Sequence, residues 1–291
     1  MNAFHALPFA LILGVLAASA QPSQPPPPAP DLARNPAAEQ TPLNPALPTL
    51  WIAGDSTAAR GAGEMQQGWA VPFADYFDAT KVNVANRARG GRSSRTFVSE
   101  GLWAQMLADV KPGDVVLIQF GHNDGGAINQ EPPGSRRPLR ARASLPGLGE
   151  EQQEIDNVVT KKHEVVHTFG WYLRKMVADA KAKGATPILM SLTVRNEWRD
   201  GKIERGNGPF GKWSQDVATA AGIQFVDVTN LMADKLEPMG LVKVKALYPR
   251  DSTHFNLVGA DLHAATVVAG LRALQPSPID GWLSAKGKAV H

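Results

Sequence analysis

The sequence predicts one α/β domain, a parallel sheet with helices on both faces. Three observations predict it. Short apolar runs recur along the chain, and one of them, Val115-Val116-Leu117-Ile118-Gln119-Phe120, is nearly continuous, as in a strand buried on both faces. Between these runs lie stretches with apolar residues at three- and four-residue spacing, the mark of amphipathic helices. The two kinds of segment alternate without an internal repeat, which favours parallel strands joined by helical crossovers.

Taken in order, residues 6–18 form an apolar run broken by Pro8 and followed by Ala18-Ser19-Ala20, a small-x-small pattern. Residues 1–20 are therefore expected to be a signal peptide, too short for a stable bilayer anchor. The protein is expected to be exported, to the periplasm or beyond. Residues 21–47, with Pro25-Pro26-Pro27-Pro28, read as a semi-rigid linker that cannot bury enough apolar surface to fold. The domain is expected over 48–275. Strands are predicted at 50–53, 82–85, 115–120, 188–192 and 223–228, and helices at 96–110, 164–183, 210–221 and 257–274, with Gly184 as a C-cap. An insertion is expected at 129–158, and residues 276–291 are expected to form a peripheral tail.

Composition narrows the function. The chain of 291 residues is 43% hydrophobic, enough for one sizeable core. Lys and Arg total 30 against 27 acidic residues, an excess too mild to indicate nucleic acid by itself. There is no cysteine, which excludes disulfides and thiolate sites. Gly61-x-Gly63 lacks the context of a dinucleotide site, and no cofactor or metal is expected.

Four blocks carry the chemistry. Ala53-Gly54-Asp55-Ser56-Thr57 ends the first strand, where a serine would face the crevice of an open α/β sheet. Gly90-Gly91-Arg92-Ser93-Ser94-Arg95 follows the second strand. It reads equally as a backbone N–H donor to an oxyanion or as a turn into a helix capped by Ser93 or Ser94. Gly121-His122-Asn123-Asp124 follows the third strand. It is either a turn or a source of a neutral amide donor from Asn123. Asp251-Ser252-Thr253-His254 precedes the last long helix, and its spacing lets a carboxylate reach the imidazole Nδ1 on a loop. Each block is a modest signal alone. Their joint occurrence in this order, each after a strand or before a helix, is not modest.

On Gly54-Asp55-Ser56, Gly91, Gly121-His122-Asn123-Asp124 and Asp251-x-x-His254 the chain resembles the SGNH (GDSL-type) hydrolases. No Gly-x-Ser-x-Gly elbow occurs, which argues against an ordinary α/β-hydrolase. Gly68-Trp69, Asn86-x-Ala88-x-Gly90-Gly91-Arg92-Ser93-Ser94-Arg95, Thr168-Phe169-Gly170-Trp171-Tyr172 and Asp251-Ser252-Thr253-His254-Phe255 look like the rhamnogalacturonan acetylesterase branch. The likeness runs from about residue 49 to 273. It implies a flavodoxin-like three-layer α/β/α sandwich and hydrolysis of acetyl esters on a pectic polysaccharide. It further implies Ser56 as nucleophile, His254 as base, Asp251 as orienter, and an oxyanion hole of the Ser56 and Gly91 N–H groups with the Asn123 side chain. Asp55, Thr57, Arg92 and His122 stand inside the same blocks and are candidate substrate contacts.

Other motifs compete. His163-Glu164-Val165-Val166-His167 matches a zinc-peptidase signature on a predicted helix, but the residues where a third ligand would fall are Leu173 and Pro187. The helix is expected to be noncatalytic. Arg136, Arg137, Arg140 and Arg142 stand close together without an acid, and read either as an ordinary solvated surface loop or as one wall of a groove for a uronate-bearing polymer. Trp69 and Trp198 read either as platforms for sugar faces or as core. A lipase or thioesterase, and a noncatalytic carbohydrate-binding protein, are the rival functions. Chain-length preference, and binding without acetate release, would mark them.

Overall fold

The computed structural model describes residues 1, 42–130, 140–206 and 208–290. The expected signal peptide from residue 2 and the linker as far as residue 41 lie outside the described residues, as do Arg136 and Arg137.

Five parallel strands form the central sheet: β1 (Thr49–Gly54), β2 (Asn83–Asn86), β3 (Val115–Gln119), β6 (Thr186–Met190) and β9 (Phe225–Val226), in the order β2-β1-β3-β6-β9. All four adjacent pairs are parallel, and this is the strand order of a flavodoxin-like fold. The two-residue pleat sorts the side chains. Leu50, Ile52, Val115, Leu117, Ile188 and Met190 enter the core on one face, and Trp51, Ala53, Val116, Ile118 and Leu189 enter the other. Helices α5 (Val228–Leu236), α6 (Leu241–Leu247) and α7 (Leu257–Ala273) cover the first face. Helices α2 (Leu102–Asp109), α3 (Phe169–Ala182) and α4 (Phe210–Ala220) cover the second, with Phe97 of α1 (Ser94–Ser99). The three-layer α/β/α reading holds.

Several boundaries differ from the sequence reading. The helix expected at 96–110 is two helices, because Gly101 takes φ +78° between α1 and α2. The last strand shrinks to two residues. The helix expected from residue 164 begins at Phe169, capped by Thr168, whose Oγ1 accepts from the Trp171 N–H at 3.0 Å. Residues His163–His167 are instead strand β5, paired antiparallel with β4 (Gln152–Asp156) inside the expected insertion. The turn between them closes through Asn157, whose N–H donates to the Lys162 carbonyl at 2.9 Å. Gly184 takes φ +74° just past α3, as the C-cap reading required.

The residues after 276 are not peripheral. Ile279 and Leu283 are buried in the first-face core with Phe73 and Leu271. The Ser284 N–H donates to the Tyr76 carbonyl, and the short helix α8 (Ala285–Lys288) follows against the same turn.

Candidate active site

Sheet order places the site. From β1 the chain crosses to β2 on one side, then returns to β3 on the other, so a crevice opens past the ends of β1 and β3. Ser56 lies just past β1 and Asn123 just past β3. The Ser56 turn is held from below. The Asp55 carboxylate accepts from the Thr57 N–H and hydroxyl, both at 2.8 Å, and the Asp55 carbonyl accepts from the Ala59 N–H at 2.9 Å. Residues Trp51 to Ala59 are buried except Ser56, which keeps partial exposure. Gly68 explains the Gly68-Trp69 motif. A Cβ there would meet the Ala58 and Ala59 backbone at 2.2–2.5 Å, so only glycine lets this loop lie on the serine turn.

His254 Nε2 lies 2.8 Å from Ser56 Oγ, and its Nδ1 lies 2.8 Å from Asp251 Oδ2. An ionised carboxylate only accepts, so Nδ1 carries the proton and Nε2 accepts from the serine. Asp251 Oδ1 accepts from the Thr253 and His254 N–H groups, both at 2.7 Å. Partial burial works against the Asp251 charge, but the bond from the His254 ring, these backbone bonds and the nearby imidazole outweigh it. They hold the carboxyl below its ordinary range. The loop therefore keeps an anion against the imidazole, and the chain hydroxyl–imidazole–carboxylate can activate the hydroxyl for attack on a carbonyl.

The second and third blocks are tied together at the same edge. The Arg89 N–H donates to the Gly54 carbonyl at 3.0 Å, bringing the second block beside the first. Gly91 takes φ +74°, which glycine adopts without strain. Of the two readings of that block, the structure bears out the turn into a capped helix: Ser93 caps α1, accepting from the Thr96 N–H at 3.0 Å. Asn123 Nδ2 donates to the Arg92 carbonyl at 2.9 Å. Asp124, fully buried, accepts from the Ser94 N–H at 3.0 Å and from the Ser94 and Ser144 hydroxyls. Burial pushes its carboxyl up to about 7, against the pull of these bonds.

The remaining candidates divide. Asp55 and Thr57 are 1% exposed and satisfy each other, so they shape the serine turn and do not face substrate. Trp69 is also core: it is fully buried and its Nε1 donates to Gln119 at 2.8 Å. Arg92 pairs with Glu100 at 2.8 Å. His122 Nε2 lies 2.9 Å from the Thr193 hydroxyl, while its Nδ1 is buried without a protein partner among the described residues. Burial pushes the ring below the ordinary histidine value, and Arg195 and His254 add to this against Asp55. Trp198 is half-buried, on strand β7 (Trp198–Arg199), which pairs with β8 (Lys202–Ile203). Arg140 is exposed. Arg142 turns inward and donates to the Gly91 carbonyl at 3.0 Å. The expected arginine wall therefore loses Arg142, which braces the glycine loop.

The zinc signature is overturned as a helical motif. On β5 its two histidines share a face but stand roughly 13 Å apart along the strand. His163 lies 3.3 Å from Asp156, and His167 stacks on Trp171 at 3.8 Å. Glu164 points the other way, to the fully buried Arg95 at 2.7 Å. Sequence reasoning missed three further residues around Asp251, namely Asn196, Lys245 and Arg250. The position of Arg250, immediately before Asp251, was the available signal.

A parallel α/β sheet of this order, with a hydrogen-bonded serine–histidine–aspartate chain at its switch point, has the arrangement of a serine hydrolase outside the nucleophile-elbow type. The chain belongs to the GDSL-like lipase/acylhydrolase family, whose model matches residues 52–262, and it is a carboxylic ester hydrolase. A rhamnogalacturonan acetylesterase of Emericella nidulans is 34% identical over 218 residues, 74% of this chain and 81% of that one. Rhamnogalacturonan acetylesterase RhgT of Bacillus subtilis is 27% identical over 256 residues, 82% of this chain and 96% of its own length. The crystal structure of Bacillus subtilis YxiM superposes with a TM-score of 0.62 at 24% identity. That match covers 81% of this chain but only 58% of YxiM, and it bears on the fold alone.

Proposed function

We propose that the protein is a serine acetylesterase that removes O-acetyl groups from pectic rhamnogalacturonan. The observation that carries the chemistry is the unbroken relay from Ser56 through His254 to Asp251, with both links at 2.8 Å. His254 takes the Ser56 proton as Oγ bonds to the acetyl carbon. The Ser56 and Gly91 N–H groups and the Asn123 amide receive the oxyanion. The carbon–oxygen bond to the sugar then breaks, and the sugar oxygen leaves with the proton from His254. Water, deprotonated by the same imidazole, releases acetate and restores Ser56. The pectic substrate is supported by the similarity to the two rhamnogalacturonan acetylesterases.

The test is acetate release from acetylated rhamnogalacturonan by the wild type and by Ser56→Ala. Release by the wild type, reduced on the order of 10⁴–10⁶-fold in the variant, is the expected result. Ser56-dependent cleavage of 4-nitrophenyl acetate with no release from the polymer would keep the esterase and discard the pectic substrate. The export pattern in residues 1–20 supports a location outside the cytoplasm. A mature N-terminus at Gln21 in periplasm or medium is expected, and an intact Met1 there would refute it.

A further inference from the structure

An open pocket of about 460 Å³ is lined by Asn196, Trp198, Leu241, Lys245, Tyr248 and Arg250, together with Asp251. Ligand pockets run about 300–1,000 Å³, so it has room for a sugar unit. We propose that this pocket is a subsite for an anionic sugar of the polymer. Trp198 would meet the sugar face, and Lys245 and Arg250 its carboxylate. The inference rests on the polysaccharide reading above and names where the acidic unit sits.

The pocket walls are built. Trp198 Nε1 donates to Asn196 Oδ1 at 2.7 Å, which fixes the indole and leaves the Asn196 amide hydrogens facing away from that bond. The Asn196 N–H donates to the Ser252 carbonyl at 2.8 Å, and the Ser252 hydroxyl donates to Glu197 at 3.0 Å. The tryptophan wall is thus stitched to the loop that carries Asp251 and His254. The Tyr248 hydroxyl is anchored to the Val194 carbonyl at 3.0 Å.

The charges facing the pocket favour an anion. Lys245 and Arg250 are exposed, and among the described residues neither makes an ion pair. Arg250 donates only to the neutral Gln66, at 3.0 Å. The two nearby acids are already engaged. Asp251 takes three bonds from the Thr253 and His254 groups, and Glu197 takes the Ser252 hydroxyl and lies 3.7 Å from Arg195. Two cations without an ion pair among the described residues, beside a fixed indole, match a uronate: a flat sugar face with a carboxylate at its edge. Asp251, which lines the pocket, is linked to Ser56 through a single imidazole, so the pocket is placed for a neighbouring unit of the acetylated chain.

The test uses the full chain and its Lys245→Gln/Arg250→Gln form. Both are titrated calorimetrically with deacetylated rhamnogalacturonan oligosaccharides, and with the same oligosaccharides after reduction of their carboxyl groups. The wild type should bind the uronate form roughly tenfold tighter than the reduced form, the scale of one charge-assisted hydrogen bond, and more weakly as salt rises. The double variant should lose that difference while keeping the wild-type rate on 4-nitrophenyl acetate. Equal affinity of the wild type for the two forms overturns the subsite, as does an unchanged preference in the variant. Uronate-dependent binding that needs Lys245 and Arg250, without acetate release from the polymer, keeps the subsite and defeats the pectic esterase reading alone.

Discussion

Asn123 has two amide hydrogens and gives one to the Arg92 carbonyl. That bond sets the plane of the amide, so the other hydrogen is held in place before substrate arrives. Preorganised donors of this kind act on charge that develops only in the transition state. Asn123→Ala is therefore expected to lower kcat by about 100–1000-fold on 4-nitrophenyl acetate with KM little changed. A loss confined to KM would make Asn123 a substrate contact and remove it from the oxyanion hole. Arg142 acts on the same loop from the other side, through the Gly91 carbonyl. Its side chain is engaged inside the protein, so Arg142 is lost to the charged wall that the sequence cluster suggested, while Arg140 stays exposed.

The β4–β5 hairpin is the element that sequence described least well. Periodicity could not separate it from a helix, because His163, Val166 and His167 fit helical spacing while Val165-Val166 also suits a strand. What decides is tertiary: Glu164 must turn inward to meet Arg95, which α1 buries completely. Arg95 Nε and Nη2 contact the two Glu164 oxygens at 2.8 and 2.7 Å, and its Nη1 donates to the Ile128 and Ala143 carbonyls. Burial opposes the Glu164 charge, but the bonds from Arg95 and Asn157 prevail and hold its carboxyl below the ordinary value. Glu164→Gln leaves Arg95 a buried cation without a counter-charge, and is expected to cost about 3–5 kcal/mol in urea unfolding. Replacing both partners with apolar residues should cost much less, and equal costs would show that the pair is not the anchor. The central strands were legible from their apolar runs, the serine, glycine and asparagine blocks because each follows a strand, and the histidine block because it leads into the long helix α7. The subsite around Lys245 and Arg250 was not, since it joins residues whose proximity only the folded loop creates.

At the scale of the whole molecule, two buried groups set opposing responses to pH. Burial raises Asp124 to about 7, with the Asp55 charge adding to it, while Ser94 and Ser144 oppose. Burial lowers His263, stacked on Phe255 at 4.0 Å, to about 4, with His122 adding to it and the Gly259 carbonyl opposing. Unfolded, these groups titrate near ~3.9 and ~6.5. The raised Asp124 contributes stability that is complete below about pH 4 and is lost as pH rises through about 7. The depressed His263 contributes stability that is complete above about pH 6.5 and is lost as pH falls through about 4. Between those limits the folded state holds one more proton than the unfolded state at Asp124 and one fewer at His263. The two slopes therefore cancel. Removing either group should unmask the other. Relative to wild type, Asp124→Asn should gain stability steadily from pH 4.5 to 7, and His263→Gln should lose stability over the same range. The check is Tm against pH for the three proteins. A difference curve without slope for Asp124→Asn would mean that the carboxyl is ionised throughout. The polar tie between the glycine and asparagine loops would then be a buried anion held by Ser94 and Ser144.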